Sequence, residues 1–544
     1  MAGARVAGRY RVLVLGGTGV FGSRLASLLQ DDPQIAVTIA ARDPIKVAAV
    51  AAEYGIAGRA LKWERDLDST LATGAFDALV HVAGPFQGQD YTVAETCIRH
   101  RVHYLDLSDD RAFVCGIDRL NGAAKDSDVV VCSGASTAPA LTAAVVEEAI
   151  GQGAVIESVT FAIVPGNDAP RGLALVKAIL STAGKPIAAQ PGRTVWGDLS
   201  RIKVPGLGRR WVAACDLPEP VLFDRRFAIG NTQAGAGLEL SVLHVGLWLL
   251  TLLVRARLVR SLAPLASMLA AIADKLRRFG TDRGGLRIDL HGASERRSWC
   301  LVAEGGDGPF VPATPAAALI RKLMRGEVTM RGAMPCVGLL TLADIEEEWR
   351  RAGLRICAGW GEGGASLQPS LYRRVLGKCY DELPEACRTL HDSGESVWEG
   401  RCTVDGARTP VGRVLSWLFQ MPPAIADASI VVEFEVRNGR ETWTRRVGGR
   451  TMRSRQYIGV RRAAGSIVES FGPFDFDLRV TVEDQRLALT MTGMRLMGVS
   501  LPRFAWPIIT AFEAGADGRF NFDVNIELPG IGRLVHYRGW LKGR

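Results

Sequence analysis

The run Arg11-Val12-Leu13-Val14-Leu15-Gly16-Gly17-Thr18-Gly19-Val20-Phe21-Gly22 decides the fold of the first 150 residues. Its apolar half reads as a buried strand, Gly17, Gly19 and Gly22 stand at G-x-G-x-x-G spacing, and the amphipathic stretch from Ser23 to Leu29 reads as a helix. Strand, tight turn and helix in that order seat the pyrophosphate of a dinucleotide, because glycine backbone can approach phosphate and the helix start offers free N–H groups and a positive dipole end. On this reading Gly17 allows the turn, Gly19 keeps a Cβ away from phosphate, and Gly22 lets the helix pack closely. Gly16, Gly17, Thr18, Gly19, Val20, Phe21 and Gly22 are the candidate cofactor loop.

Outward from this turn, short apolar runs alternate with helical patterns up to about residue 150, the mark of a parallel sheet built from βαβ units. Strands are predicted near 11–15, 35–40, 59–63, 78–82, 103–107 and 129–133, with helices at 19–30, 44–54, 90–100 and 138–150. The second strand ends in Ala41-Arg42-Asp43, where an NAD site would offer an acidic side chain to the ribose 2′-hydroxyl. Ala41 cannot do so. Arg42 offers a guanidinium fork suited to a 2′-phosphate, with Lys46 one turn later, which favours NADP and leaves NAD as the alternative. The plainer role is an exposed Arg ahead of a helix capped by Asp43.

With 544 residues, 48% of them hydrophobic, the chain is long enough for more than one core. The formal net charge of +9 lies beyond the first 150 residues and forms no basic tail or aromatic-laced stripe, so nucleic acid is not expected as a partner. Ten cysteines without a C-x-x-C pair argue against a zinc site and a disulfide framework, and the apolar run after Arg5, Arg9 and Arg11 is too short for an export signal. The expectation is a reduced, cytoplasmic protein.

The segments HVAGPFQGQDYTVAETCIRHRVHYLDLSDD, starting at His81, and VVVCSGASTAPAL, starting at Val129, resemble the nucleotide-binding half of saccharopine dehydrogenase-like oxidoreductases. The resemblance implies a cofactor contact at Ala83, Gly84 and Pro85, in the loop after the fourth strand. RRWVAACDLPEP, FGTDRGGL and GAMPCVGLLTLADIEEEW resemble the substrate half of such proteins, which implies an antiparallel sheet with helices. After the Gly-rich Gly361 to Ser366, helices at 371–378 and 410–420 give way to alternating runs joined at Asn438-Gly439 and Asp517-Gly518, an antiparallel sheet that can curl into a barrel or cup. ETWTRRVGG, GVSLP and GRLVHYRGWL resemble an uncharacterised domain that accompanies this family. The expected architecture is therefore α/β: a Rossmann parallel sheet at 1–150, an α/β substrate and dimerisation domain at 151–365, and a β-rich domain at 366–544.

Val242 to Val254 is strongly apolar and flanked by Arg255, Arg257 and Arg260, and a second apolar helix is expected over 262–273. Neither is long enough to span a bilayer. A buried helix hairpin or a homodimer interface is the first expectation, and peripheral contact of 242–273 with a membrane surface is the second.

Few side chains are compelled to do chemistry, since the hydride belongs to the cofactor. Asp106, at the end of the fifth strand, and Ser136, beyond the sixth, are the catalytic candidates. Ser136 can equally cap a helix starting at Ala138. His81 and His103 read as core or rim, there is no H-E-x-x-H and no expected metal, and no G-x-S-x-G nucleophile appears. None of the ten lysines has Tyr four residues earlier, which disfavours a short-chain reductase. Arg225, Arg226, Arg296 and Arg297 are candidates for an acidic substrate. The leading expectation is an NADP-dependent oxidoreductase acting on a small carbonyl or imine. The alternative is an NADP-binding or lipid-surface protein without hydride transfer, its C-terminal cup holding an apolar ligand.

Overall fold

The structure is a computed structural model, which describes residues 8–170, 172–293, 295–361, 370–393, 396–437, 440–458, 465–496, 499–516 and 518–543. The chain divides into two compact units, Met1–Val204 with Arg209–Trp360, and Pro205–Gly208 with Gly361–Arg544.

The first unit contains two sheets. Strands β1 (Tyr10–Leu15), β2 (Ile35–Ala41), β3 (Ala57–Ala60), β4 (Ala78–His81), β5 (His103–Asp106) and β6 (Val130–Ser133) are all parallel and lie in the order 3-2-1-4-5-6 of a Rossmann sheet. Val12, Leu13, Val14 and Leu15 are buried, as a strand covered on both faces requires. The second sheet takes β7 (Ser158–Val164), β8 (Ser200–Val204), β9 (Gly208–Ala214), β10 (Asn231–Ala236), β11 (Gly284–His291) and β12 (Arg296–Ala303). Then β13 (Gly332–Pro335) returns to the first sheet, parallel to β6, and β14 (Ile356–Trp360) completes the second in the order 14-12-11-7-10-9-8. In it β7 pairs parallel with β10, while β9 with β10, β11 with β7 and β12, and β12 with β14 pair antiparallel.

Two local expectations are corrected. The third strand lies at Ala57–Ala60 rather than 59–63, its four residues exposed at the sheet edge. The helix expected from 138 begins only at Thr142, because Ala138 is extended (φ −112°, ψ 120°) within a wide turn over Thr137–Leu141. Ser136 makes no side-chain cap there.

The second unit is a closed antiparallel barrel. Its strands are β15 (Ser396–Gly406), β16 (Ile425–Arg437), β17 (Arg440–Val447), β18 (Arg450–Tyr457), β19 (Ser466–Phe471), β20 (Phe474–Glu483), β21 (Arg486–Leu496), the short β22 (Val499–Ser500), β23 (Ile508–Ala516), β24 (Arg519–Leu528) and β25 (Gly532–Gly543). Apart from β22, which only edges β21, each pairs with its sequence neighbours, and β15 pairs with β25, closing a ring of ten. Asn438-Gly439, Asp517 and residues 362–366 lie outside the described residues.

Candidate functional site

The glycines of the first turn divide their work differently from the expectation. Gly16, not Gly17, takes the left-handed conformation (φ +89°), and a Cβ there would fall 2.7 Å from the backbone nitrogen of Ala83. Gly17 is required by the second strand, since its Cβ would meet Ile39 at 2.5 Å. Gly22 backs the turn: a Cβ would lie 2.3 Å from the Gly16 carbonyl oxygen. Gly19 alone faces space, because a Cβ there would meet only that same oxygen, at 3.3 Å. Hydrogen bonds from Gly16 and Gly17 N–H to the Ala40 carbonyl and from Gly19 N–H to Gly16 hold the turn over β1 and β2. The helix Val20–Gln30 that follows has Gly19 as its N-cap and no side-chain cap, so its first N–H groups and dipole face the space above Gly19. A dinucleotide pyrophosphate fits this arrangement.

At the end of β2, Asp43 caps the helix Pro44–Tyr54 by accepting from Ile45 and Lys46 N–H, and Lys46 lies 3.9 Å from the same carboxylate. Arg42 is exposed and has no hydrogen bond or ion pair among the described residues. The loop after β4 sits against Gly16, with Val82 N–H donating to Leu15 and the Gln89 amide donating to the carbonyls of Ala83 (3.0 Å) and Pro85 (2.7 Å). Ala83, Gly84 and Pro85 thus present backbone beside the glycine turn.

Asp106 is fully buried and ties two loops together. Its Oδ1 accepts from Ser108 N–H (2.9 Å), Gly134 N–H (2.9 Å) and the Ser133 hydroxyl (3.0 Å). Burial pushes its carboxyl up to about 6 against these donors. His81 is buried among Trp63, Phe86 and Tyr104, its Nδ1 3.2 Å from the Tyr104 hydroxyl, and burial lowers it to about 4. His103 accepts from Val130 N–H. Asp106 and His81 thus lie at the carboxyl edge of the sheet, and His103 with Val130 at the amino edge. Among the described residues no group of three His, Cys, Asp or Glu could hold a metal.

A cleft of about 650 Å³ opens beside this edge, walled by Pro85, Gln87, Gly88, Asp110 and Ala112 on one side and by Lys177, Ser181 and Lys185 on the other. Lys177 and Lys185 are exposed and without an ion-pair partner among the described residues. The arginines expected here lie elsewhere: Arg225 and Arg226 face Asp118 and Glu147, and Arg297 pairs with Glu295. No motif marks the two lysines, which stand on and after the helix Leu173–Thr182, far along the chain from the glycine turn.

Glu219 also escaped sequence reasoning. It begins the helix Glu219–Phe227, is fully buried, and its Oε1 lies 2.8 Å from the Thr142 hydroxyl, which is itself 2.9 Å from the Pro139 carbonyl. A hydroxyl has one hydrogen; if Thr142 gives it to Pro139, the contact with Glu219 requires a proton on Glu219. Burial pushes this carboxyl up to about 8, in agreement.

Residues 12–149 match the family described as the saccharopine dehydrogenase NADP binding domain, and residues 383–541 match a domain of unknown function (DUF4166). Among solved structures, the chain is similar to saccharopine dehydrogenase (L-Glu forming) from Saccharomyces cerevisiae, 13% identical over 65% of this chain and 100% of that one, TM-score 0.46. It is also similar to the homospermidine synthase of Legionella pneumophila, solved in complex with NAD, 12% identical over 65% and 92%, TM-score 0.42. No curated protein matches the chain. Residues 12–149 are thus a saccharopine dehydrogenase NADP binding domain by family, and residues 383–541 a DUF4166 domain.

Proposed function

We propose that this protein is an NADP-dependent oxidoreductase acting on a small carbonyl or imine. The observation that carries the reading is the uncapped start of the helix Val20–Gln30 above the open face of Gly19, with Arg42 unpaired at the end of β2. Gly16 to Gly22 would hold the pyrophosphate, Arg42 the 2′-phosphate, and Ala83 to Pro85 the cofactor's far side by backbone. The cofactor supplies the hydride; the chain's own residues bind, orient and exclude water. Asp106 acts as a positioning residue that fixes the loops after β5 and β6, and Ser136 is left with a hydroxyl free of capping duty beside them. The cleft's lysines suit an anionic group on the substrate. Ten free cysteines support a cytoplasmic setting. Oxidation of NADPH, followed at its absorbance with a panel of carbonyls with and without amines, tests the activity; no turnover with any member would count against it.

A second reading concerns the surface of the helices Ser241–Arg255 and Ala266–Lys275. No helix among the described residues is long and apolar enough to cross a membrane. Yet Leu253 is 38% exposed and Leu258 72%, beside exposed Arg255, Arg257 and Arg260, and Val242 at the far end of the helix is 69% exposed. This favours peripheral docking on anionic lipid, with a second copy of the chain as the rival occupant. Co-sedimentation with anionic vesicles and sedimentation equilibrium separate the two.

A further inference from the structure

The DUF4166 barrel has one sealed end and one open end. At the sealed end two helices, Leu371–Leu376 and Glu385–Asp392, seat buried polar pins: Tyr372 hydroxyl donates to Gln456 at 2.9 Å, Leu371 N–H to Glu441 at 3.1 Å, and His391 Nε2 lies 2.7 Å from Glu513. His391 lies against Tyr372, ring centroids 3.9 Å apart and planes tilted by 34°.

The opposite end is built differently. Ile425, Phe476, Met491, Ile509, Val524 and Ile526 pack against the barrel core and so face the lumen, yet each stays only half-buried. A core residue in a filled barrel would be covered; these line a mouth. Eight strands leave an interior just wide enough for side chains or one small ligand, and ten leave more. Across this mouth runs the connection from β15 to β16. It contains the helix Pro410–Leu418, whose Thr409 and Ser416 hydroxyls donate to the carbonyls of Ile531 and Leu534 at the start of β25. Phe419 then meets Phe474, at the start of β20, with ring centroids 5.7 Å apart. In the ring of ten, β20 is the fifth strand from β15 in either direction. A connection between neighbouring strands that touches the opposite wall must cross the opening, so this helix is a lid.

We propose that the barrel lumen binds one long-chain anionic amphiphile of the fatty-acid kind, entering tail first beneath the helix Pro410–Leu418. The half-buried apolar mouth takes the chain. The head stays outside, because the floor of the lumen is lined by the carboxyls of Glu441, Glu469 and Glu513, and its basic groups Arg445 and His391 are already engaged by Glu469 and Glu513, so nothing there is free to receive a carboxylate. At the mouth, Arg408 and Arg413 on either side of the lid's first turn are exposed and have no ion-pair partner among the described residues. The lid's outer stripe, Val411, Val414 and Trp417, is 58%, 64% and 64% exposed. Such a stripe suits a helix that meets lipid as it opens.

Titration of the full chain with a fluorescent polyene fatty acid tests this, with the matching long-chain alcohol and amine as dark competitors. Saturable binding at one molecule per chain is expected, with the acid bound more tightly than the alcohol and the amine weakest. Ile526→Trp and Met491→Trp fill the mouth and should weaken all three by about tenfold or more. Arg413→Gln, on the exposed lid, should weaken the acid and leave the alcohol unchanged, and it keeps the test decisive if a filling variant melts early by circular dichroism. Absence of saturable binding, unchanged binding in both folded filling variants, or an amine bound as tightly as the acid would each overturn the proposal.

Discussion

Gly19 and Gly22 are three residues apart, yet a methyl group added at each would meet different surroundings. At Gly22 it would enter the Gly16 backbone, so Gly22→Ala should destabilise the fold by about 2–4 kcal/mol in denaturant melts. At Gly19 it would meet only the Gly16 carbonyl oxygen, at 3.3 Å, a close contact that a shift of a few tenths of an ångström relieves, with φ −80° acceptable to alanine. Gly19→Ala should therefore melt like wild type and lose dinucleotide affinity by about tenfold or more. The spacing of the glycines was legible in the sequence because it is a local pattern. Which glycine bears the positive φ was not, since that depends on Ala83 and Ile39 arriving from other strands. Glu219 was hidden for the same reason: its partner Thr142 lies 77 residues away. Its carboxyl titrates near 4.5 when unfolded and about 8 when folded. The folded chain thus keeps a proton that the unfolded chain has lost, and the stability this proton contributes is complete below pH 4.5 and gone as pH rises through 8. Glu219→Gln should gain melting temperature relative to wild type between pH 6 and 9. A parallel fall of the two curves would show Glu219 to be ionised in the folded state.

The helices of the first sheet were readable to within a residue or two where caps and periodicity agree, as at Pro44–Tyr54, with Asp43 before it and Gly55 (φ +63°) after it. Reading failed at Ala138, where a small apolar residue in a helical pattern lies extended because the loop after β6 is bound to Asp106. What fixes the helix Val20–Gln30 from below could not be read at all. Arg321, on the helix Thr314–Met324 and almost fully buried, donates to the Leu28 carbonyl (2.7 Å), to Glu348 (2.8 Å) and to Asp32. Removing the guanidinium would leave two carboxylates without their cation, so Arg321→Met should cost about 3–5 kcal/mol and broaden the thermal transition. Retained stability would mean that those carboxylates take up protons or water instead.

At the scale of the whole chain there are two units with separate cores, one built on the Rossmann and mixed sheets and one inside the barrel. The parallel character of the first sheet and the antiparallel character of the last third followed from periodicity, because both depend on neighbouring runs. Closure of the barrel did not, since it rests on β15 meeting β25 across more than a hundred residues. Two cores should give two calorimetric transitions, and NADPH should raise only the one that belongs to the Rossmann unit. A shift in both would mean that the barrel's stability is coupled to cofactor binding. The central question is whether the turn at Gly16 to Gly22 seats NADP with Arg42 on its 2′-phosphate, and fluorescence titration of wild type and Arg42→Ala with NADPH and NADH addresses it most directly. Wild type should prefer NADPH, and Arg42→Ala should lose about 1.5–3 kcal/mol of NADPH affinity while NADH binding stays unchanged; a wild type that prefers NADH, or a preference that survives the substitution, would contradict it.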